Sequence, residues 1–293
     1  MCGHRGCGET AKTTVLDLQT GTSTVLNRDV PEPNARDPRE HVHAGGTRHT
    51  HDQGHTHEHG HGPDRDHDGR PGHSVIELET RVLARNDALA MRNRGWFSGR
   101  EILALNLVSS PGSGKTTLLE RTILDMKAEL NLFIVEGDQA TANDSERIRA
   151  AGAPVVQVNT GTGCHLEADM IAWGLRDLKP APGSVVMIEN VGNLICPAMF
   201  DLGEWAKVVM LSVTEGEDKP LKYPHMFRAA AVMILIKIDL LPHLEFDIEA
   251  AAANARQVNP DIVILRLSAR TGEGLAGWYD WLRLEQTSAL NRF

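Results

Sequence analysis

Apolar positions are sparse before Ser74 and strongly periodic after it. Val75, Leu78, Val82, Leu83, Leu89 and Met91 recur at roughly helical spacing up to Trp96-Phe97, which predicts a leading helix. The apolar run from Ile102 to Val108 predicts a buried strand, followed by a Gly-rich turn and a helix over about 115–130. Further strands are predicted at 132–136, 155–158, 184–189, 207–213, 231–236 and 262–267, with helices at 143–151, 165–178, 245–256 and 273–285. Strands alternating with helices imply an α/β domain, from about 74 to 293, with a mostly parallel sheet covered by helices on both faces.

The region ahead of that domain follows a different pattern. Residues 1–10 form a small Cys/Gly-rich head, and residues 11–40 are polar, with a weak apolar cluster at Val15 and Leu16, and are expected to be mostly unstructured. Residues 41–73 hold ten of the 14 histidines and no Ile, Leu, Phe or Met, a composition that cannot bury enough apolar surface to fold alone. Together, 11–73 reads as a disordered linker carrying a His-rich tract, and the whole as a flexible N-terminal arm.

The formal net charge of −9 argues against general binding to nucleic acid or an anionic membrane. Apolar runs such as Ala229 to Ile236 are too short to span a bilayer, and no signal peptide is visible. Four cysteines across 293 residues make no disulfide framework, so reduced thiols in a cytoplasmic protein are expected.

The turn Ser109-Ser110-Pro111-Gly112-Ser113-Gly114-Lys115-Thr116 has the chemistry of a phosphate loop. Gly112 and Gly114 permit backbone N–H groups to point inward, Lys115 can reach the β- and γ-phosphates, and the Thr116 hydroxyl can hold Mg²⁺. The general pattern begins with Gly, whereas Ser109 stands there in this chain. Asp138 and Glu189 close two predicted strands at the end where open α/β sheets bind ligands, which suits a metal-and-water role in hydrolysis. Lys237 and Asp239 fit guanine, with a Lys stem over the base and a carboxylate on its N1–H and amine. Ser268-Ala269-Arg270 is placed to offer a backbone N–H to the guanine carbonyl oxygen.

Cys164 and His165 are expected at a helix N-terminus, where a thiol pKa falls and a thiolate is ready for a metal. Cys196 lies a few residues beyond Glu189, so metal release can be coupled to hydrolysis. Two sulfurs with imidazole suit Zn²⁺ or Ni²⁺; a nucleophilic Cys–His pair is the catalytic alternative, though no acyl-transfer motif accompanies it. Cys2 and Cys7, with His4 between them, can chelate a metal, and His55, His57, His59 and His61 offer alternating imidazoles for metal buffering.

These residues resemble one family, the hydrogenase nickel-incorporation GTPases (HypB). The resemblance runs through Asn86-Asp87-Ala88-Leu89-Ala90, Asn106 to Thr117, Glu136-Gly137-Asp138, Gly161-Thr162-Gly163-Cys164-His165 and Glu189-Asn190-Val191-Gly192-Asn193-Leu194. Ser109 is normal for it, and Thr117 joins the nucleotide-binding set. The resemblance implies slow GTP hydrolysis to GDP and phosphate, and dimerisation through the G domain. It further implies nickel delivery to the [NiFe]-hydrogenase large-subunit precursor with a zinc-containing HypA partner, and metal ligation by Cys164, His165 and Cys196.

Two departures stand out: Arg5 replaces a cysteine of the N-terminal nickel motif, and Ile236 replaces the Asn expected before Lys237. A lost hydrogen bond to a ligand costs roughly 1–3 kcal/mol, or about 5- to 150-fold in affinity. A nickel- or zinc-storage protein with a weak or inactive G domain is therefore one alternative. A urease-type nickel-insertion GTPase is another, disfavoured by the absence of a contiguous Cys-Pro-His.

Overall fold

The structure, a computed structural model, describes residues 13–17, 20–25, 40–42, 48–50, 75–138 and 143–291, with the backbone alone at 40–42, 48–50 and 75–79. In chain order the strands are β1 (Thr14–Asp17), β2 (Thr22–Val25), β3 (Glu40–Val42), β4 (Arg48–Thr50), β5 (Leu103–Ser109), β6 (Leu132–Asp138), β7 (Val155–Asn159), β8 (Val185–Glu189), β9 (Ala206–Ser212), β10 (Ala230–Ile236) and β11 (Val263–Leu267). The helices are α1 (Val75–Ser98), α2 (Lys115–Met126), α3 (Asn143–Ala151), α4 (Ala168–Leu178), α5 (Cys196–Met199), α6 (Lys219–Lys222), α7 (Pro224–Ala229), α8 (Ile248–Val258) and α9 (Leu275–Leu290), with a 3-10 turn at Ile238–His243.

Nine strands form one sheet in the order β11-β10-β9-β5-β8-β6-β7-β1-β2. Every pairing from β11 to β7 is parallel, as the alternating strand and helix pattern predicts, and β1 and β2 are antiparallel. All seven residues of β5 are buried, which is why its sequence reads as a nearly unbroken apolar run. On one face, Leu105, Leu107 and Ile134 pack with Leu118, Ile123, Ile148 and Trp278 from α2, α3 and α9. On the other, Val135, Val156 and Ile188 pack with Leu166, Ile171 and Phe97, while Val209, Met233 and Phe227 meet Ala251 and Ala255 of α8.

The sequence reading of 11–40 misses β1 and β2. Val15 is fully buried and joins the core on the α4 face, and β1 pairs along the outer edge of β7. Two four-residue strands with one buried apolar position lie below what periodicity detects, and the free edge of β7 is what recruits them. Residues 27–80 group as a separate unit, in which β3 and β4 form a hairpin with His41 and His49 as register partners. Backbone pairing thus gives part of the His-rich tract a local structure that its composition does not announce. Among the described residues, no helix is long and apolar enough to cross a membrane.

Helix starts shift where capping decides them. α8 begins three residues later than predicted because Asp247 Oδ1 accepts the Ala250 N–H. α4 begins at Ala168, whose N–H is capped by Asn86 Oδ1 from α1, at 2.9 Å.

Candidate functional site

β5 runs into the Gly-rich turn and α2, so the N-terminus of α2 faces the rim where the parallel strands end. Gly112 (φ 70°) and Gly114 (φ 110°) hold left-handed backbone that side-chain-bearing residues rarely adopt, which is what lets the turn wrap. Ser109 stands at the floor of this loop. Its hydroxyl accepts from Lys115 Nζ at 2.8 Å and from Ser113 Oγ at 2.5 Å, and donates to the Ser110 carbonyl. The serine that broke the general pattern therefore anchors the loop's own lysine. Burial lowers the Lys115 ammonium pKa, opposed by the nearby Glu189 carboxylate.

Two carboxylates face each other beside the loop. Glu136 of β6 and Glu189 of β8 are register partners, and both are buried. Glu189 Oε1 accepts from the Thr116 hydroxyl at 2.9 Å, whereas its Oε2 is buried with no hydrogen-bond partner. An orphaned carboxylate oxygen next to a phosphate-loop hydroxyl fits a divalent cation or an ordered water. Burial pushes the Glu189 carboxyl up to about 7 despite Lys115 and Thr116. Glu136 is pushed up to about 8 by burial, and Glu189 and Asp138 add to the rise, while the Ser145 hydroxyl, donating at 2.6 Å, opposes it. Asp138 ends β6, and strand alternation puts it on the same sheet face as Glu136, toward α2 and α3. Sequence reasoning singled out Asp138 and left Glu136 without a role; the cross-strand register to Glu189 is the signal it lacked.

The base end lies one strand further on. Lys237 is in the left-handed region (φ 64°) and its Nζ donates to the Gly112 carbonyl at 2.7 Å, so its stem lies along the phosphate loop. Asp239 Oδ1 accepts from Ser268 Oγ at 2.6 Å, which joins the two predicted guanine contacts. The Ser268 amide donates to the Glu273 carbonyl, so within Ser268-Ala269-Arg270 that N–H is already used inside its own turn. Ile236 is buried and its side chain lies at van der Waals distance from the space beside Gly114. It braces the loop by packing, where an Asn would do so by hydrogen bonding. Thr117 is exposed and its hydroxyl accepts from Arg147 at 3.3 Å.

On the segments that follow β7 and β8, Cys164, His165 and Cys196 bring one ligand atom each to within 4.8 Å of one another. The two sulfurs are 3.1 Å apart, and His165 Nδ1 is 3.5 Å from Cys164 Sγ. His165 is buried against Phe200, with ring centroids 4.0 Å apart. Two soft sulfurs and an imidazole fit Zn²⁺ or Ni²⁺, with the remaining position supplied from elsewhere. The expected helix N-terminus at Cys164 is corrected: α4 starts only at Ala168, so the thiol stands on the preceding turn. Asn193 holds that turn by donating to the Cys164 carbonyl at 3.2 Å. Cys2, Cys7, His55, His57, His59 and His61 lie outside the described residues.

A parallel sheet with a phosphate loop after an inner strand and carboxylates at the neighbouring strand ends defines a P-loop nucleotide-binding protein. The family described as "CobW/HypB/UreG, nucleotide-binding domain" matches residues 103–266. The chain is 58% identical over 217 residues to the hydrogenase maturation factor HypB of Rhizobium leguminosarum bv. viciae, covering 73% of each chain. Among solved structures it resembles HypB from Archaeoglobus fulgidus (TM-score 0.65, 39% identity, 69% of this chain and 99% of that one). It equally resembles HypB from Helicobacter pylori in complex with nickel (TM-score 0.65, 35% identity, 70% and 96%). The chain belongs to the CobW/HypB/UreG family and, within it, to the HypB hydrogenase maturation factors.

Proposed function

We propose that this chain is a GTP-hydrolysing metallochaperone that stores nickel and delivers it during [NiFe]-hydrogenase maturation. One observation carries the reading: residues 189–196 begin at the carboxylate on Thr116 and end at the metal-cluster thiol Cys196. Nickel is cargo here, in keeping with the nickel complex of the H. pylori relative, and the chemistry of Cys164, His165 and Cys196 suits them as its holders. Lys115, with the N–H groups of Gly112, Ser113 and Gly114, binds and neutralises the phosphates, and Thr117 flanks them. Lys237, Asp239, Ser268 and Ala269 select guanine. Thr116 and Asp138, with the orphaned oxygen of Glu189, would hold Mg²⁺, which supplies charge neutralisation at the transferred phosphate. Asp138 and Glu189 orient the attacking water.

In the same reading the protein works in the cytoplasm as a homodimer joined through the G domain, alongside a HypA-type zinc protein and the hydrogenase precursor. Zn²⁺ competes for the same thiolates, and Cys2 and Cys7 add a second nickel site. Lys115→Ala should abolish GTP turnover while leaving nickel binding by the His tract intact. Persistence of turnover in that variant would remove the assigned site.

Ile236 favours a second reading, metal storage with a weakly active G domain. Turnover rates of the natural protein and of Ile236→Asn separate the two. A natural protein that turns over as fast as the variant supports the switch, and turnover only in the variant supports storage.

A further inference from the structure

The phosphate loop follows β5, the Cys164–His165 pair follows β7 and Cys196 follows β8, so all of them stand beyond the same ends of parallel strands. Two contacts tie them together at one residue, Leu166, which directly follows His165 and is fully buried. Its backbone N–H donates to Asn190 Oδ1 at 3.1 Å. Asn190 is the residue after Glu189, and its amide donates on to Asn106 of β5 at 3.2 Å. The Leu166 side chain occupies the space that a Cβ on Gly137 would fill, with three of its carbons 2.7 to 2.9 Å from that position. Gly137 sits between Glu136 and Asp138. Two residues past Asn190, a Cβ on Gly192 would meet the Pro111 Cα of the phosphate loop at 2.8 Å, so this segment is pressed against the loop as well.

We infer that Leu166 and Asn190 are positioning residues that set the Cys164–His165 pair according to the state of the nucleotide site, by a knob seated at Gly137 and a hydrogen bond to the segment after Glu189. The inference rests on the coupled GTPase and metal reading given above. A shift of residues 189–192 when the γ-phosphate is present or absent changes where the Leu166 backbone is held, and Leu166 carries His165 and Cys164 with it. Glycine at 137 is required because any side chain there takes the seat of the knob.

The test uses the full chain carrying Cys2→Ser and Cys7→Ser, which leaves Cys164 and Cys196 as its thiolates. Co²⁺ is titrated by its thiolate charge-transfer absorbance, with GDP and with a non-hydrolysable GTP analogue. Competition from the His tract is common to both states and cancels in the ratio of apparent affinities. The background protein should give a ratio of about 5 to 150, the usual range for coupled sites. Asn190→Ala and Gly137→Ala should each bring it toward one. Leu166→Ala added to Gly137→Ala removes the overlapping carbons and should restore much of the ratio. A rescue of that kind is not expected from loss of folding. A background ratio that persists in Asn190→Ala and Gly137→Ala, or the absence of rescue in the double variant, would overturn the relay while leaving the coupled reading in place. A ratio of one already in the background protein would remove the coupled reading and the relay together.

Discussion

The Ser109 hydroxyl holds Lys115 in place, and Ile236 fills the space at Gly114. Both positions carry a residue different from the general P-loop GTPase pattern, and both differences act on the same loop. Ile236→Asn should raise GTP affinity by about 5- to 150-fold if its amide reaches the base and the loop. The same change puts a polar group at a buried apolar site, so the melting temperature should fall while affinity rises. Isothermal titration and a thermal melt on one sample read both, and unchanged affinity would show that Ile236 is no handicap.

The carboxyl pair gives a pH prediction. Folding raises Glu136 to about 8 and Glu189 to about 7 from an ordinary 4.5, so over that interval the folded chain binds more protons than the unfolded one. Stability from this source is complete below the unfolded value and is lost as pH climbs through the folded ones. The nucleotide-free protein should therefore melt at progressively lower temperature from about pH 5 to about pH 8. Glu136→Gln should flatten that fall, and an identical slope in the variant would count against a shared burial effect.

At the level of elements, the parallel strands and their covering helices were legible because burial on both faces writes itself into continuous apolar runs. The start of α8 is capped by Asp247 directly before it, whereas the start of α4 is set by a distant side chain. Asn86, on α1, caps α4 through the Ala168 N–H and also donates to the Asp201 carbonyl at 2.7 Å. No local window around Ala168 contains that information. Asn86→Ala should destabilise the domain by about 1–3 kcal/mol, the combined cost of a lost cap and a buried unpaired carbonyl, measured by denaturant unfolding. A change below 0.5 kcal/mol, on the order of a surface substitution, would show that water replaces the asparagine. The β1–β2 hairpin was missed for a related reason: Val15 becomes a core residue only beside β7, so its neighbours in sequence look like a loop.

For the molecule as a whole, the proposed function divides metal holding between the His-rich tract and the cluster on the G domain. Cys164→Ser with Cys196→Ser should abolish the thiolate absorbance bands attributable to the G domain and leave the bulk of nickel stoichiometry unchanged. A proportional loss of all bound nickel would contradict that division.

The sequence by itself determined the α/β order, the phosphate loop with Lys115 and Thr116, and the identities of the sulfur and imidazole donors. Those features are local: a period, a spacing, a short motif. Only the tertiary structure decided that Glu136 faces Glu189, that Lys237 reaches back to Gly112, and that Leu166 fills the seat left by Gly137. Each of these joins positions far apart in the chain through strand register, a hydrogen bond or close packing at the strand ends. Register and close packing follow from how whole faces bury, and a linear pattern carries no record of which face meets which.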